Sequence, residues 1–206
     1  MPVDAALVRA WVTGFADSVT AAKTELTKLD QAIGDGDHGA NMSRGLTAVV
    51  AKLSGDTTGD LLRGVGRTLI STVGGASGPL YGTAFREAGK ALGDAEPVSD
   101  TDFAAALRAG LDGIVRLGKA ELGDKTMVDA WTPALAALDA ALESGSALPE
   151  AVGAAAKAAA EGAEATVPMQ ARKGRASYLG PRSVGHQDPG ATSTTLLFEA
   201  LANAAG

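Results

Sequence analysis

Three aspartates, Asp30, Asp35 and Asp37, lie within eight residues of one another in the stretch DQAIGDGDHG (30–39), which also holds three glycines. Asp35 and Asp37 are two residues apart, so their side chains leave an extended loop on the same side. Converging carboxylates repel each other by roughly 3–4 kcal/mol per pair at about 4–5 Å and an effective dielectric near 20. Mg²⁺ or Ca²⁺, which prefer oxygen ligands, would offset that repulsion. The stretch therefore predicts a cation site, with a solvated acidic turn capped by aspartate as the alternative.

Other metal and nucleotide motifs do not fit this stretch. Counted from Asp35, the twelfth position of an EF-hand is Leu46 rather than Glu. The run GDGDHG has GxGxxG spacing, but it follows a predicted helix rather than a strand, and the chain has no GxxxxGK[ST]. His38 and His186 have no neighbouring His or Cys, so a zinc site is not expected. Aspartates among the glycines would repel a pyrophosphate unless a cation stood between them, which favours an order of carboxylate, cation and phosphate.

Three glycine-containing segments precede predicted helices: HGAN (38–41), GGASGP (74–79) and DPGA (188–191). A helix start offers free N–H groups and the positive end of the helix dipole, which together suit phosphate. Glycine also lets the backbone approach a ligand closely. A plain loop for 74–79, and a simple aspartate cap followed by proline for 188–191, are the alternatives.

Residues 168–190 show no periodicity, and a loop this long inside a compact domain is usually functional or disordered. The segment holds apolar residues, so we expect an ordered, functional loop. Its Arg172, Lys173 and Arg175 could pair with phosphates, whereas Arg182 is expected to be solvated.

Apolar residues recur at three- to four-residue spacing through eight segments, and no segment alternates with period two, which predicts an all-α, antiparallel bundle. We expect Thr58 to cap the third helix, Asp100 or Thr101 to cap the fifth, and Pro149 to lie in the first turn of the seventh. No change in composition divides the chain, so we expect a single domain, 1–206. The predicted helical segments are 4–29, 42–53, 61–73, 80–92, 103–115, 128–142, 149–167 and 196–201.

The composition excludes several classes of protein. The chain has 206 residues, a net charge of −6 and no cysteine, which excludes a disulfide scaffold and a cysteine nucleophile. The acidic excess argues against nucleic acid as a partner. No apolar run approaches the roughly 18 residues of a membrane span, and the N-terminus lacks the features of a signal peptide. We therefore expect a soluble, cytoplasmic protein without a membrane partner.

Four segments carry a resemblance that covers essentially the whole chain in order: LDQAIGDGDHGANM, STVGGASGPLYGT, GKAELGDKTMVDAW and QARKGRASYLGPRSVGHQDPGATS. They resemble the L, or ADP-binding, subunits of dihydroxyacetone kinase. The resemblance implies an eight-helix antiparallel barrel and two Mg²⁺ ions, held by Asp30, Asp35 and Asp37, that bridge to the phosphates of ADP or ATP. Where the family often has alanine between the last two aspartates, this chain has Gly36, which is not a ligand. The nucleotide contacts implied are His38, Gly39, Ala40, Asn41, Ala76, Ser77, Gly118, Met127, Arg175, Asp188, Pro189 and Gly190.

The resemblance also implies a reaction. The phosphoryl group would pass to dihydroxyacetone held covalently by a histidine of a separate K subunit, and this chain has no evident sugar site of its own. In the branch linked to the phosphotransferase system, an M subunit recharges the bound ADP; a free-standing chain without a fused K domain favours that branch over the one that exchanges ATP. The expected partners are the K and M subunits, with a homodimer as a further assembly. The alternatives are an ATP-dependent kinase module for another small ketose or a carrier-held fatty acid, and a non-catalytic nucleotide-binding regulator.

Overall fold

The computed structural model describes residues 3–206 and confirms the all-α class. Within that range the secondary structure consists of nine α-helices, one 3₁₀ helix and an isolated antiparallel bridge between Val3 and Val98. The elements are α1 (Ala5–Ala21), α2 (Lys23–Ile33), α3 (His38–Ala51), α4 (Thr58–Thr72), α5 (Ser77–Leu92), α6 (Asp100–Gly118), α7 (Val128–Glu143), α8 (Leu148–Ala165), the 3₁₀ helix Arg175–Ser183, and α9 (Pro189–Ala205).

The first predicted helix is divided into α1 and α2 at Ala22. The backbone of Ala22 has φ −85° and ψ 3°, outside regular helical values. Its N–H still donates to Ser18 O at 2.9 Å, and its carbonyl accepts from Leu26 N at 2.9 Å. The division is therefore a kink in one bent helix, and counting α1 and α2 together is consistent with the predicted eight.

Two predicted helix caps are displaced by one residue or more. Thr57, rather than Thr58, caps α4, and Ser99, rather than Asp100 or Thr101, caps α6. Each cap hydroxyl accepts from the backbone N–H three residues further on, at 3.1 Å in both cases. A cap residue must have an extended backbone to accept that bond. The residues predicted as caps follow Thr57 and Ser99 and are already helical, so they cannot cap these helices.

The segment 168–190 is ordered, as predicted. It contains the 3₁₀ helix Arg175–Ser183, and its Ala171 and Ala176 pack against Ile33 at the end of α2. α9 begins at Pro189, well before the predicted segment 196–201. The first turns of α9 bury Ser193 and Thr194 rather than large apolar side chains, so hydrophobic periodicity does not mark them.

The helices form a closed ring. Consecutive helices pack against each other, and α9 packs against both α8 and α1. The indole Nε1 of Trp11 donates to Leu197 O at 2.9 Å, which ties α1 to α9 inside the ring. Within residues 3–206, no helix has the length and the apolar character needed to span a bilayer. The core includes the buried rings of Trp11, Phe15, Tyr81, Phe103 and Phe198.

Helices α4 and α5 approach each other closely through glycine. A Cβ atom at Gly66 would lie 2.5 Å from Gly82 O, and one at Gly82 would lie 2.8 Å from Gly66 O. Real Cβ atoms do not come this close to a carbonyl, so both positions require glycine. This contact fixes α5 against α4, and α5 starts at the cavity described next.

Candidate functional site

A cavity of about 260 Å³ lies where the C-terminal ends of α2 and α6 meet the N-terminal ends of α3, α5, α7 and α9. All the predicted site residues line it except Gly39, Ala40 and Asn41. The predicted residues in its wall are Asp30, Asp35, Asp37, His38, Ala76, Ser77, Gly118, Met127, Arg175, Asp188, Pro189 and Gly190. The wall also contains Ile33, Gly75, Leu80, Tyr81, Ile114, Ala120, Lys125, Thr126, Val128, Lys173, Gly174 and Ala176.

The three aspartates converge. One carboxylate oxygen from each of Asp30, Asp35 and Asp37 lies within 4.8 Å of the other two. Asp30 is buried in the last turn of α2, not in the loop where its sequence pattern had placed it. Its Oδ2 accepts from the backbone N–H groups of Asp37 (2.8 Å) and His38 (3.1 Å). The buried carboxylate therefore shapes the turn that presents the other two.

The donor set fits a hard divalent cation. Asp30, Asp35 and Asp37 offer only carboxylate oxygens, the ligands that Mg²⁺ and Ca²⁺ prefer, and no soft sulfur ligand of the kind that zinc and copper favour. The cluster also needs a positive charge, because three carboxylates within 4.8 Å repel one another. Arg175 meets part of that need, since its Nε lies 2.5 Å from Asp35 Oδ2.

The helix starts at the cavity can receive an anion. In the part of the chain that the structure describes, neither α3 nor α5 has a side-chain cap: Asp37 and Ala76 hold those positions without a capping bond. Gly39 packs against Lys23 and Thr27 of α2. In the first turn of α3 the N–H of His38 donates to Asp30 Oδ2 and that of Asn41 donates to Asp37 O, so the N–H groups of Gly39 and Ala40 are the ones left for a ligand.

His38 is the first residue of α3 and is buried between two hydroxyls. Its Nδ1 lies 2.9 Å from Ser77 Oγ, and its Nε2 lies 2.9 Å from Ser193 Oγ. Burial lowers the pKa of His38 to about 4 against the opposing charge of Asp30, so the ring is neutral and one nitrogen donates while the other accepts. Tyr81 extends this network, because its hydroxyl lies 2.7 Å from Ser193 Oγ. The starts of α3, α5 and α9 are thus fixed to one another, and both ring nitrogens of His38 are already engaged.

Asp188 caps α9, as the sequence suggested. Its Oδ2 accepts from Ala191 N at 2.7 Å. Burial raises the pKa of Asp188 to about 7; the Ala191 N–H opposes this rise, as does the charge of Lys125. Near neutral pH this carboxyl is therefore poised between its two protonation states.

Sequence reasoning missed two features of the cavity. Its apolar wall, which includes Leu80, Ile114 and Val128, lies on helices whose apolar residues look like ordinary core. Lys125 is 1% exposed, although lysine is rarely buried. The lysine falls inside the quoted segment GKAELGDKTMVDAW, but nothing in its spacing distinguishes it from a surface residue. A cavity wall that has both charged and apolar residues suits an amphiphilic ligand.

Comparison with known proteins identifies the class. The chain forms a closed helical ring with an acidic cavity at one end. Its residues 32–203 match the family described as the DAK2 domain. The chain is 46% identical over 198 residues to the PEP-dependent dihydroxyacetone kinase, ADP-binding subunit DhaL, of Escherichia coli K12, covering 95% of this chain and 94% of that protein. It is 44% identical over 195 residues to the PEP-dependent dihydroxyacetone kinase 1, ADP-binding subunit DhaL, of Listeria innocua, covering 93% and 92%.

The fold has a solved counterpart. The crystal structure of the dihydroxyacetone kinase from C. freundii in complex with AMP-PNP and Mg²⁺ superposes with a TM-score of 0.75 at 29% identity. The alignment covers 98% of this chain and 34% of that one, so this chain spans about a third of the C. freundii protein. The chain belongs to the DAK2 domain family and, within it, to the ADP-binding DhaL subunits of dihydroxyacetone kinase.

Proposed function

We propose that this chain is the nucleotide-binding subunit of a dihydroxyacetone kinase, acting as a single domain over residues 1–206. The observation that carries the proposal is the meeting, in one cavity, of a carboxylate cluster with two helix starts that lack side-chain caps. Carboxylates recruit divalent cations, helix starts attract phosphate, and a nucleoside diphosphate needs both.

Asp30, Asp35 and Asp37 would hold two Mg²⁺ ions. Three carboxylates and a diphosphate bring about six negative charges together, which one divalent ion offsets only in part. The burial of Asp30 and its bonds to Asp37 N and His38 N support a fixed ligand geometry, because they hold the Asp30 carboxylate and the backbone of the turn that carries Asp37.

The nucleotide would lie with its phosphates toward the carboxylates and its base toward the apolar wall. The 38–41 turn, through the backbone N–H groups of Gly39 and Ala40, would meet the phosphates, as would the N–H groups of Ala76 and Ser77, Arg175 and the start of α9 at 188–190. Gly118 and Met127 lie at the cavity wall with Leu80 and Ile114, where a flat base can be buried.

The chain's own contribution to phosphoryl transfer would be positioning and charge rather than covalent catalysis. Bound Mg²⁺ would supply neutralisation of the charge that develops on the transferred group. The protein would hold the phosphates at fixed helix starts and donate from Arg175. Asp188 and the His38 network would keep those helix starts in register without touching the reacting atoms.

The acceptor and the phosphoryl source would come from partners. We propose a K subunit that presents dihydroxyacetone and a phospho-carrier M subunit that recharges ADP in place, in the cytoplasm. The "PEP-dependent" names of the two relatives support this branch, because the chain covers more than nine-tenths of each. A homodimer is a further assembly open to the chain.

The first experiment is mass spectrometry of the purified chain after denaturation. ADP in a 1:1 ratio supports a lasting cofactor, whereas a nucleotide-free chain that takes up ATP on mixing supports the exchanging branch. A chain that neither retains nor takes up MgADP or MgATP contradicts the proposal.

The second experiment tests turnover. The chain is mixed with K subunit, M subunit and a phosphotransferase feed, and dihydroxyacetone phosphate is measured. Product only with the full feed supports the carrier-linked reaction; product with ATP alone, or only with another small ketose, supports the ATP-dependent alternative. Retained ADP with no transfer to any acceptor would identify a regulator instead.

A further inference from the structure

Lys125 places a buried ammonium group among main-chain carbonyls. The side chain is 1% exposed, and its Nζ donates to Thr166 O at 2.7 Å and to Met169 O at 3.2 Å. It also contacts Val167 O at 3.5 Å and donates to His186 O. An ammonium has three protons, and four carbonyls already compete for them, so none is left for a ligand in the cavity.

The position of Lys125 has a conformational cost. Its backbone lies in the left-handed region, with φ at 63°, which non-glycine residues rarely adopt. Burying a charge without partners costs far more than that, so the carbonyl oxygens are what make this arrangement stable. The cost of burying the charge is not explained by packing alone, because an apolar side chain of the same length would fill the space without it.

The carbonyls around Lys125 belong to the two ends of one loop. Thr166, Val167 and Met169 lie where α8 gives way to the long segment, and His186 lies two residues before Asp188. The segment between them carries Lys173, Gly174 and Arg175 into the cavity wall.

Two further bonds hold the same junction together. Asp188 N donates to Thr166 Oγ1 at 2.9 Å, and Arg172 N donates to Asp124 O at 3.0 Å. Thr126 and Met127, which follow Lys125 in the chain, are themselves part of the cavity wall. The ammonium is thus one point to which both ends of the loop and the start of α7 are attached.

We propose that Lys125 is a positioning residue: a built-in cation around which both ends of the loop 166–188 fold, and which sets nucleotide affinity through Arg175 and the 188–190 turn. The proposal rests on the proposed nucleotide site. It assigns Lys125 no contact with the nucleotide and no part in the transfer step.

The first test replaces Lys125 by methionine, which keeps the length of the side chain and removes its charge. For Lys125→Met we expect at least a tenfold loss of MgADP affinity by calorimetry, with kcat at saturating nucleotide within about twofold of wild type. Lys157→Met is the matched control, because Lys157 lies on α8 with an 80% exposed side chain; its affinity should not change. Unchanged affinity in Lys125→Met, in a wild type that binds MgADP, overturns this proposal and leaves the proposed function standing.

The second test is chemical rescue. Lys125→Ala leaves room for a small cation, and ammonium or methylammonium should restore MgADP affinity in a saturable manner. Tetramethylammonium has no N–H donors and should not. Equal effects of the three cations would indicate ionic strength alone and would overturn the proposal.

A measurement on the wild-type chain covers the case in which the variants do not fold. An amine-reactive label can reach Lys125 only when the loop opens, and mass spectrometry follows its modification rate. We expect MgADP to slow labelling of Lys125 at least tenfold and to leave Lys157 unchanged. Equal rates at Lys125 with and without MgADP overturn the proposal; a wild type that does not bind MgADP at all overturns the proposed function, and this inference with it.

Discussion

Arg175 Nε lies 2.5 Å from Asp35 Oδ2, so the long basic loop is joined directly to the acidic cluster. The side chains are 69% and 37% exposed, and an ion pair this open to water contributes little to folding, about 0–1 kcal/mol. The contact brings a guanidinium to the edge of the carboxylates, where the proposed nucleotide site has its cation-bridged phosphate. The pair thus places a positive side chain of the long loop beside the acidic cluster at one end of the helical ring.

Replacing Arg175 by glutamine should weaken nucleotide binding without unfolding the protein. We expect MgADP affinity to fall about 10- to 100-fold, the equivalent of one charge-assisted hydrogen bond, with unfolding free energy within about 0.5 kcal/mol of wild type. Calorimetry and urea unfolding measure the two effects. Arg182→Gln is the matched control, because Arg182 is an exposed arginine on the same 3₁₀ helix. Equal affinity losses in the two variants would rule out a specific phosphate contact.

Replacing Asp35 by asparagine should separate metal binding from folding. The variant loses one of the three proposed carboxylate ligands, and we expect Mg²⁺-dependent ADP retention to drop by at least about tenfold while the far-ultraviolet circular dichroism stays unchanged. ADP content after gel filtration measures retention. Asp17→Asn, an exposed change on α1, should retain as much ADP as wild type. ADP content in Asp35→Asn equal to wild type would contradict the metal assignment.

Replacing His38 by alanine should destabilise the protein as well as the site. The change opens a cavity and leaves the Ser77 and Ser193 hydroxyls without their shared partner, so we expect a loss of about 2–4 kcal/mol in unfolding free energy. The side chain of His186 is exposed, and His186→Ala should stay within about 0.5 kcal/mol of wild type. Urea unfolding of both variants without nucleotide makes the comparison; equal stabilities would show that the His38 network carries no free energy.

Glycine-to-alanine changes at two helical positions should have opposite signs. Gly66→Ala sets a methyl group against Gly82 O and should destabilise by roughly 1–3 kcal/mol. Gly153 lies inside α8, and beyond its chain neighbours and the nearby backbone of α8 a methyl group added there would meet no atom within 4 Å. Gly153→Ala should therefore stabilise by about 0.5–1 kcal/mol through helix propensity. Thermal unfolding of both variants tests this. A stabilised Gly66→Ala would mean that α4 and α5 are not held in close backbone contact.

Asp188 should make stability depend on pH. Burial raises its pKa from 3.8 to about 7, so the folded chain binds this proton more tightly than the unfolded chain does. The contribution is therefore fully present below about pH 4 and is lost as the pH rises to about 7. Asp188→Asn keeps a capping oxygen and removes the titration. Its unfolding free energy relative to wild type should therefore rise by a few kcal/mol as the pH increases from about 4 to about 7.

The measurement for Asp188 is urea unfolding across this pH range without added Mg²⁺ or nucleotide. His38 titrates in part of the same range with the opposite sign, because burial lowers its pKa to about 4. The difference between wild type and Asp188→Asn cancels that contribution, since both chains contain His38. Parallel pH profiles for the two proteins would contradict a buried, protonated Asp188.

Much of the fold and the candidate site could be predicted because the signals are local. Helical periodicity depends on neighbours three and four residues apart, and it located every long helix except the beginning of α9. The aspartates, the glycine-rich helix starts and the basic loop are likewise marked by residue types within short windows. Periodicity did not locate the early turns of α9, because the residues buried there are Ser193 and Thr194. Both form hydrogen bonds with Tyr81, which lies in a distant part of the sequence.

By itself, then, the sequence determined the helical class, the acidic trio and the segments that we propose receive phosphate. Only the tertiary structure decided that these segments share one cavity, that Asp30 belongs to α2, and that Lys125 is buried among carbonyls. The physical reason is that the burial of a polar group depends on partners contributed by distant parts of the chain. A lysine has the same local sequence signal in solvent as inside a ring of carbonyls, and only packing distinguishes the two.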